Sequence, residues 1–418
     1  MNIPDLIVNF FALSDPLIPE VLEKKTPGAY TAAIPGVPPA YVAQFALWAA
    51  IALILLVIII QYIARKKFIN PIPAEAKKKR LFYTILLNIF IVIFFFGALE
   101  LTLQIYVKYH PYQNFIPDNV LFWKPKPGTG GRFIDKNNPN SKYNFLPLTN
   151  YLTEKPEGTV RILCLGESRT AGLIEPHTTH ESSYPKQIQK KLKKEYPNIP
   201  IQVHNGGVPG YTSYQGLFML KNTVKQFKPD IVTLAFAWHE GSIAYARDKD
   251  VLSNSKFIQC TRKMLYNSQI YLLLRRYILR KKLKYASNKR PIFLRVDCDD
   301  YRDNMNEIIR MGKKHDFEVV FITLPISPEP SIRDYYIRKV APYHNILQEM
   351  SGERNILYID LKNKMLNSKD EILFNRLLQK DRSHFTKWGR EWIASQVTEQ
   401  MKENGIIDRA LERVSGSK

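Results

Sequence analysis

Cysteine is scarce in this chain, and acidic side chains are outnumbered. The 418 residues include three cysteines, Cys164, Cys260 and Cys298, without C-x-x-C spacing. This pattern argues against a zinc cluster or a disulfide framework, and no metal is expected. There are 38 Asp and Glu against 60 Lys and Arg, which gives a formal net charge of +22. Such a balance favours an anionic partner. Nucleic acid is not expected, because no nucleic-acid-binding motif is present.

Two long hydrophobic runs point to a membrane instead. Residues 41–60 contain no charged side chain, and a second apolar run begins at Leu81. Each run is long enough to cross the hydrocarbon core of a bilayer. We predict a two-helix transmembrane hairpin at 41–107, with spans at about 41–62 and 81–105.

The loop between the spans predicts the orientation of the hairpin. Residues 65–80 carry seven Lys and Arg but one acid, Glu75. By the positive-inside rule this loop is cytoplasmic, so residues 1–40 form a short extracytoplasmic lead. A cleavable signal peptide is not expected, because the first span starts late and lacks a basic n-region. Glu100, near the outer end of the second span, is either solvated at the interface or in contact with another membrane subunit.

Beyond an irregular connecting segment at 108–157, strand-like and helix-like runs alternate. Near-continuous apolar strands between amphipathic helices indicate a parallel sheet with both faces covered. We therefore predict an α/β domain over 158–418, three-layered (α/β/α) with a five-stranded parallel sheet. Ligands bind such sheets at the carboxyl ends of the strands. The predicted strands are 160–166, 200–206, 229–238, 318–325 and 355–361, and the predicted helices 183–196, 214–227 and 301–315.

A basic insertion interrupts this alternation at 251–296. It contains twelve Lys and Arg and no acid. Its cations are either simply solvated on a helix, or they contact an anionic membrane surface or an acidic polymer.

Polar residues follow several of these strands. Ser168 stands at the tip of the first strand, as a nucleophile or as a helix N-cap. Gly207 and Gly210 follow the second strand, where they free backbone N–H groups for a ligand or belong to an ordinary loop capped by Thr212 or Ser213. Near the C-terminus, Asp381 and His384 are three residues apart.

The spacing of Asp381 and His384 places them on one side of a helical turn. The carboxylate can then orient the imidazole for catalysis, although helix-end electrostatics also produce such pairs.

In these polar segments the chain from about 158 to 400 resembles the SGNH/GDSL hydrolase family, which is characterised by a set of short sequence blocks. Gly166-Glu167-Ser168 matches the first block, with glutamate where aspartate is common. Asn205 to Ser213 matches the second, and Asp381-Arg382-Ser383-His384 the last. The third block departs from the pattern, since Ala237-Trp238-His239-Glu240 stands where members have a G-x-N-D-like run. The resemblance implies the flavodoxin-like fold of that family.

The resemblance also implies roles for matched residues, without any cofactor. Ser168 corresponds to the nucleophile, His384 to the general base and Asp381 to its orienting acid. The oxyanion hole would consist of the Ser168 and Gly210 N–H groups and His239, which occupies the asparagine position. A neutral histidine can donate one N–H there.

The expected function is that of a membrane-anchored serine esterase or O-acyltransferase. It would act through an acyl-enzyme on ester-linked acyl groups, acetyl above all, of cell-envelope polysaccharide or lipid. The resemblance suggests the bacterial cytoplasmic (inner) membrane, an extracytoplasmic catalytic domain and a membrane-bound O-acyltransferase as partner. The alternatives are a catalytically weakened glycan-binding or scaffold subunit, and a subunit that docks in a larger complex through the hairpin and Glu100.

Overall fold

A computed structural model of the chain forms two compact units. The sheet unit comprises the described residues of Val120–Asn254 and Arg290–Lys418, and the helix unit those of Ala32–Asn119 and Ser255–Lys289. The structure describes residues 74–109, 115–118, 122–125, 155–172, 183–244, 247–252, 260–261, 264–272, 274, 293–368, 370–379 and 381–415.

A five-stranded parallel sheet organises the sheet unit, as predicted. Strand β1 (Phe115–Asp118) belongs to the helix unit, and the strands of the sheet unit are β2 (Phe122–Pro125), β3 (Val160–Gly166), β4 (Ile201–Gly207), β5 (Ile231–Ala235), β6 (Ile243–Ala244), β7 (Phe293–Leu294), β8 (Glu318–Thr323) and β9 (Leu357–Asp360). The strand order of the five-stranded sheet is β4-β3-β5-β8-β9, and Gly166 at the end of β3 pairs with Gly207 of β4 and Ala235 of β5. A separate two-stranded antiparallel sheet pairs β6 with β7.

Helices follow most strands of the sheet and pack on its two faces. The helices of the sheet unit are α2 (Ser168–Ala171), α3 (Tyr184–Glu195), α4 (Ser213–Phe227), α5 (Asp248–Leu252), α6 (Cys298–His315), α7 (Pro330–Lys339), α8 (Ala341–Arg354), α9 (Leu361–Ser368), α10 (Glu371–Leu377), α11 (Lys387–Glu403) and α12 (Ile406–Ser415). Helices α3, α11 and α12 pack together on one face, and α4, α6 and α8 on the other.

The core is built from the alternation of side chains along buried strands. Every residue of β3 is buried, and Ile162 and Cys164 belong to the cluster that also holds Ile188 of α3 and Ile393 of α11. Because successive side chains of a strand point to opposite faces, Leu163 is directed toward the other helical layer. A strand buried on both faces explains why this sequence is apolar without a period of two.

The helix unit contains α1 (Ala74–Tyr109), which covers the second predicted span. Within it, Phe82–Ile105 has a mean hydropathy of 2.4, and an apolar 18-residue window of this stretch is not buried inside the structure. Among the described residues, this is the one helix long and apolar enough to cross a membrane. The first predicted span at 41–62 lies outside the described residues, as does the lead at 1–40, so the two-helix hairpin stays a prediction.

Glu100 of α1 is bound by a segment of the chain's own basic insertion. One carboxylate oxygen accepts the Gln269 N–H at 2.7 Å, and the other accepts the Ile270 N–H at 3.0 Å and the Ser268 hydroxyl at 2.9 Å. Backbone N–H groups at the start of a helical turn attract a carboxylate. Both oxygens of Glu100 therefore have partners within the helix unit itself.

Candidate active site

The first residue of the site lies where β3 turns into α2. Glu167 is the N-cap of α2, because its carboxylate accepts the Arg169 N–H, and Ser168 is the first helical residue. The N-cap alternative for Ser168 is therefore wrong. The turn is tight, since a Cβ on Gly207 of the neighbouring strand would meet the Ala171 nitrogen at 2.4 Å. Glycine there allows β4 to approach the short helix that carries Ser168.

Ser168, His384 and Asp381 form a continuous hydrogen-bonded chain. The Ser168 Oγ lies 2.9 Å from His384 Nε2, and His384 Nδ1 lies 2.6 Å from an oxygen of Asp381. The serine and histidine are 216 positions apart in sequence. This is the geometry that a serine nucleophile, its general base and an orienting carboxylate require.

The Asp381–His384 loop is not the helical turn that the spacing suggested. Arg382 has a φ of +59°, and Asp381 Oδ1 accepts the N–H groups of Ser383 and His384, both at 3.0 Å. A short polar side chain that binds the backbone two or three residues on stabilises a turn instead of a helix. The second oxygen of Asp381 is thereby directed at the imidazole.

Electrostatics keep Asp381 ionised. Although partial burial raises its pKa, the hydrogen bonds and charge of His384 outweigh that effect and hold the pKa at about 2. A carboxylate beside the ring stabilises the imidazolium that forms when the base takes a proton. Asp381 can do so throughout the neutral range.

The loop after β4 contributes Gly210. This glycine has a φ of +79°, a conformation that other residues rarely adopt. Within the described part of the chain, the N–H groups of Ser168 and Gly210 have no hydrogen-bond acceptor. Thr212 is the N-cap of α4, as the alternative interpretation of this loop expected, and its N–H donates to Gln215 Oε1 at 3.0 Å. The loop thus leads into α4 and also presents the Gly210 N–H as a donor.

The loop after β5 holds the residues that depart from the family pattern. Ala237 has a φ of +133°, which is strained for a residue with a Cβ and would suit glycine. Burial lowers the pKa of His239 to about 4, so its imidazole is neutral at neutral pH. Glu240 accepts the N–H groups of Ser213 at 2.7 Å and His239 at 3.1 Å, and burial raises its pKa to about 7.

The sequence alone did not indicate that Arg169 belongs to the site. Its guanidinium is buried, donates to Glu167 at 2.5 Å and lies 4.5 Å from the centre of the Trp238 ring. Although burial raises the pKa of Glu167, the charge of Arg169 and the hydrogen bonds that Arg169 donates bring this pKa below its usual value. The available signal was an arginine directly after the candidate serine.

Ser168 and His384 open into a small surface depression. Gly172, which follows α2, and Phe385, which follows His384, also line it. Two arginines, Arg169 and Arg390, line it as well. Among the described residues, no group of His, Cys, Asp and Glu has the arrangement of a metal site.

A family model decides the classification. The model of the GDSL-like Lipase/Acylhydrolase family matches residues 164–392, more than half of the chain. The chain belongs to this family. The matched segment of this GDSL-like acylhydrolase begins within β3 and ends within α11, so it contains Ser168, Gly210, His239, Asp381 and His384. Members of the family are serine hydrolases, and this chain is one.

The acylhydrolase is similar to several solved structures at low identity. A lipase/acylhydrolase from Enterococcus faecalis is 20% identical and aligns over 59% of this chain and 96% of its own, with a TM-score of 0.38. The acetylxylan esterase Axe2 from Geobacillus stearothermophilus is 17% identical over 59% of this chain and 95% of its own, with a TM-score of 0.37. The comparison with curated proteins found no match.

Proposed function

We propose that this acylhydrolase is a membrane-anchored serine esterase or O-acyltransferase that works through an acyl-enzyme on Ser168. The observation that carries the proposal is the hydrogen-bonded chain Ser168–His384–Asp381, with distances of 2.9 and 2.6 Å. In this account Ser168 is the nucleophile, His384 the general base and Asp381 the group that orients the imidazole.

Formation of the acyl-enzyme follows from these distances. Ser168 Oγ attacks the carbonyl carbon of the ester while its proton passes to His384 Nε2. The tetrahedral intermediate collapses, the bond to the leaving oxygen breaks, and the imidazolium returns the proton to that oxygen. Asp381 stays ionised and stabilises the imidazolium. The result is an ester between Ser168 and the acyl group.

The negative charge of the tetrahedral oxygen needs donors. The N–H groups of Ser168 and Gly210 supply two, and the neutral His239 supplies a third from its single ring N–H. The residues that carry these donors follow the carboxyl ends of β3, β4 and β5, which is where parallel sheets bind ligands.

The acyl-enzyme is released to an acceptor hydroxyl. Water gives hydrolysis, and a sugar hydroxyl gives transfer of the acyl group to a glycan. In either case His384 removes the acceptor proton and donates it to Ser168 Oγ when the acyl–serine bond breaks. The same residues therefore support both outcomes, and access of the acceptor to the depression beside Ser168 selects between them.

The substrate class follows from the proposed location. The apolar stretch Phe82–Ile105 of α1 supports anchoring in a bilayer, and the basic residues at 65–80 support a cytoplasmic loop before it. The sheet unit then lies on the extracytoplasmic side of a bacterial cytoplasmic membrane. Its substrates would be ester-linked acyl groups, acetyl first, on envelope polysaccharide or lipid. A membrane-bound O-acyltransferase is the partner that would supply or share such substrates.

Substitution of the nucleophile tests the proposal. We expect Ser168→Ala to lower the hydrolysis of 4-nitrophenyl acetate, and the release of acetate from acetylated polysaccharide, by about 10⁴-fold or more. Ser351→Ala serves as the control, because this serine lies on α8, away from Ser168 in the chain, and its hydroxyl donates to the Gln348 carbonyl of the same helix. Full turnover by Ser168→Ala would contradict the proposal.

One observation favours a second candidate function. The strained Ala237 and the histidine at 239 depart from the family pattern in the oxyanion hole. A glycan-binding or scaffold subunit on a weakened hydrolase fold would retain the depression without turnover. Binding of acetylated polysaccharide by the purified protein, with no acetate release and no effect of Ser168→Ala on either property, would support this candidate.

A further inference from the structure

A buried guanidinium lies behind the loop that carries Gly210. The Arg295 side chain is 0% exposed, although its sequence position is within the basic insertion. It donates to the Gly210 carbonyl at 2.7 Å and to Gln215 Oε1 at 2.9 Å. Two further bonds, at 3.2 and 3.0 Å, reach the two oxygens of Asp248. The fork of one arginine thus binds a helix carboxylate and the glycine loop together.

The partners of Arg295 hold the loop at several points. Asp248 also accepts the Thr212 hydroxyl at 2.6 Å, and Gln215 Oε1 also accepts the Thr212 N–H. A two-bond pair with Asp248 would already satisfy the charge of Arg295, because arginine and carboxylate fit each other in this way. Further N–H groups of Arg295 donate to Gly210 and Gln215. A buried pair is weak evidence for stability, but the two-bond geometry fixes the position of the guanidinium.

The backbone at 295–296 reaches the other loop of the site. Arg295 N–H donates to the Ser242 carbonyl at 2.9 Å, and Val296 N–H donates to the Glu240 carbonyl at 3.2 Å. Glu240 follows His239 directly. The short segment after β7 therefore contacts both loops to which the proposed function assigns oxyanion donors.

We infer that Arg295 is a positioning residue for the oxyanion hole, which acts by holding the peptide that follows Gly210 and so restricting backbone rotation at this glycine. The inference rests on the proposed role of Gly210. A glycine at a φ of +79° has many alternative conformations. The bond from Arg295 to the Gly210 carbonyl holds the 210–211 peptide and so restricts the φ and ψ of Gly210. The N–H on the other side of this residue then keeps one direction, toward the developing oxyanion. Donors that need no reorganisation during the reaction are the ones that lower its barrier.

The chain offers a matched control for this arginine. Arg161 is 1% exposed and likewise donates to a backbone carbonyl, that of Phe227, at 2.9 Å, and to a glutamine, Gln202, at 2.8 Å. It lies near the start of β3, at the end of the sheet opposite Ser168. Arg161→Met therefore removes an equally buried guanidinium without touching the site.

The experiment compares Arg295→Met with Arg161→Met in the full-length protein. With 4-nitrophenyl acetate as substrate, we expect Arg295→Met to lower kcat about 10- to 100-fold, while KM changes less than threefold. Inhibition by phenylboronic acid, whose serine adduct is tetrahedral, should weaken by a similar factor. Arg161→Met should keep kcat and the inhibition constant within twofold of wild type, even if its melting temperature falls by as much as that of Arg295→Met.

Two results would overturn the inference. One is a kcat of Arg295→Met within twofold of wild type, and the other is an equal loss of kcat in Arg295→Met and Arg161→Met. If Arg295→Met does not fold, Arg295→Lys decides, because it keeps a charge opposite Asp248 without the fork. A fivefold or greater loss of kcat in Arg295→Lys supports the inference, and wild-type kcat refutes it. An inactive wild-type protein would instead refute the proposed function.

Discussion

The hydroxyl proton of Ser168 has two acceptors within reach. Its Oγ lies 3.0 Å from a carboxylate oxygen of Glu167 and 2.9 Å from His384 Nε2. The pKa of Glu167 is below its usual value, because the charge and hydrogen bonds of Arg169 outweigh the effect of burial. A carboxylate of lowered pKa is a weaker base than an imidazole. At the residue scale, the pairing of Arg169 with Glu167 thus leaves His384 as the proton acceptor.

His239 gives a prediction at the same scale. If its ring N–H completes the oxyanion hole, His239→Asn should retain activity within a few fold, because the amide also donates. His239→Ala should lose about 10²–10³ in kcat. The pKa of about 4 means that His239 is already neutral above pH 5. We therefore expect wild type and His239→Asn to show the same pH–rate profile from pH 5.5 to 9 with 4-nitrophenyl acetate.

Two outcomes would contradict the role or the protonation state assigned to His239. Equal activity in wild type, His239→Asn and His239→Ala would mean that it donates nothing to the oxyanion. An acid-side rise in the kcat of wild type that His239→Asn lacks would mean that the imidazole gains a proton within the working range, since a protonated ring donates more strongly.

At the scale of elements, β4 and α2 approach each other closely at Gly207. Gly207→Ala should displace α2, because its Cβ would lie 2.4 Å from the Ala171 nitrogen and 2.8 Å from the Thr170 carbonyl carbon. We expect a loss of about 1–3 kcal/mol in the free energy of unfolding and a fall in kcat, since Ser168 moves with its helix. Urea denaturation and ester hydrolysis measure the two effects.

Gly352 provides the control for that substitution. It lies in α8 with nothing within 4 Å of an added Cβ. Gly352→Ala should raise stability by up to about 1 kcal/mol, because alanine favours a helix over glycine, and should leave kcat unchanged. Wild-type stability and activity in Gly207→Ala would show that the junction is looser than the distances imply.

The strands of the sheet were predictable because burial on both faces leaves an apolar run. The first strand was predicted at 160–166 and observed as Val160–Gly166, and the last at 355–361 and observed as Leu357–Asp360. The β6–β7 pair was missed, because two-residue strands leave no period in the sequence. Arg295 was predicted to belong to an insertion whose cations are solvated or contact a membrane surface or an acidic polymer. Its contact with Gly210 was not foreseen, because the two residues are 85 positions apart. Contacts of that range depend on chain topology, which local patterns do not encode.

At the scale of the whole molecule, the net positive charge and the apolar helix should together hold the protein at the membrane. A net charge of +22 and the exposed apolar stretch Phe82–Ile105 predict a protein that stays with the membrane fraction. We expect alkaline carbonate, which strips peripheral proteins, to leave the chain in the pellet, while detergent extracts it. Release of the intact chain by carbonate would mean that charge alone holds it to the bilayer.

The account depends most on the acyl-enzyme at Ser168. The most direct measurement is labelling of the full-length protein with a fluorophosphonate probe, followed by mass-spectrometric mapping of the modified peptide. We predict that Ser168 is the one labelled residue. Labelling should be abolished in Ser168→Ala and strongly slowed in His384→Ala. Labelling at another serine, or an unlabelled protein that still turns over esters, would contradict it.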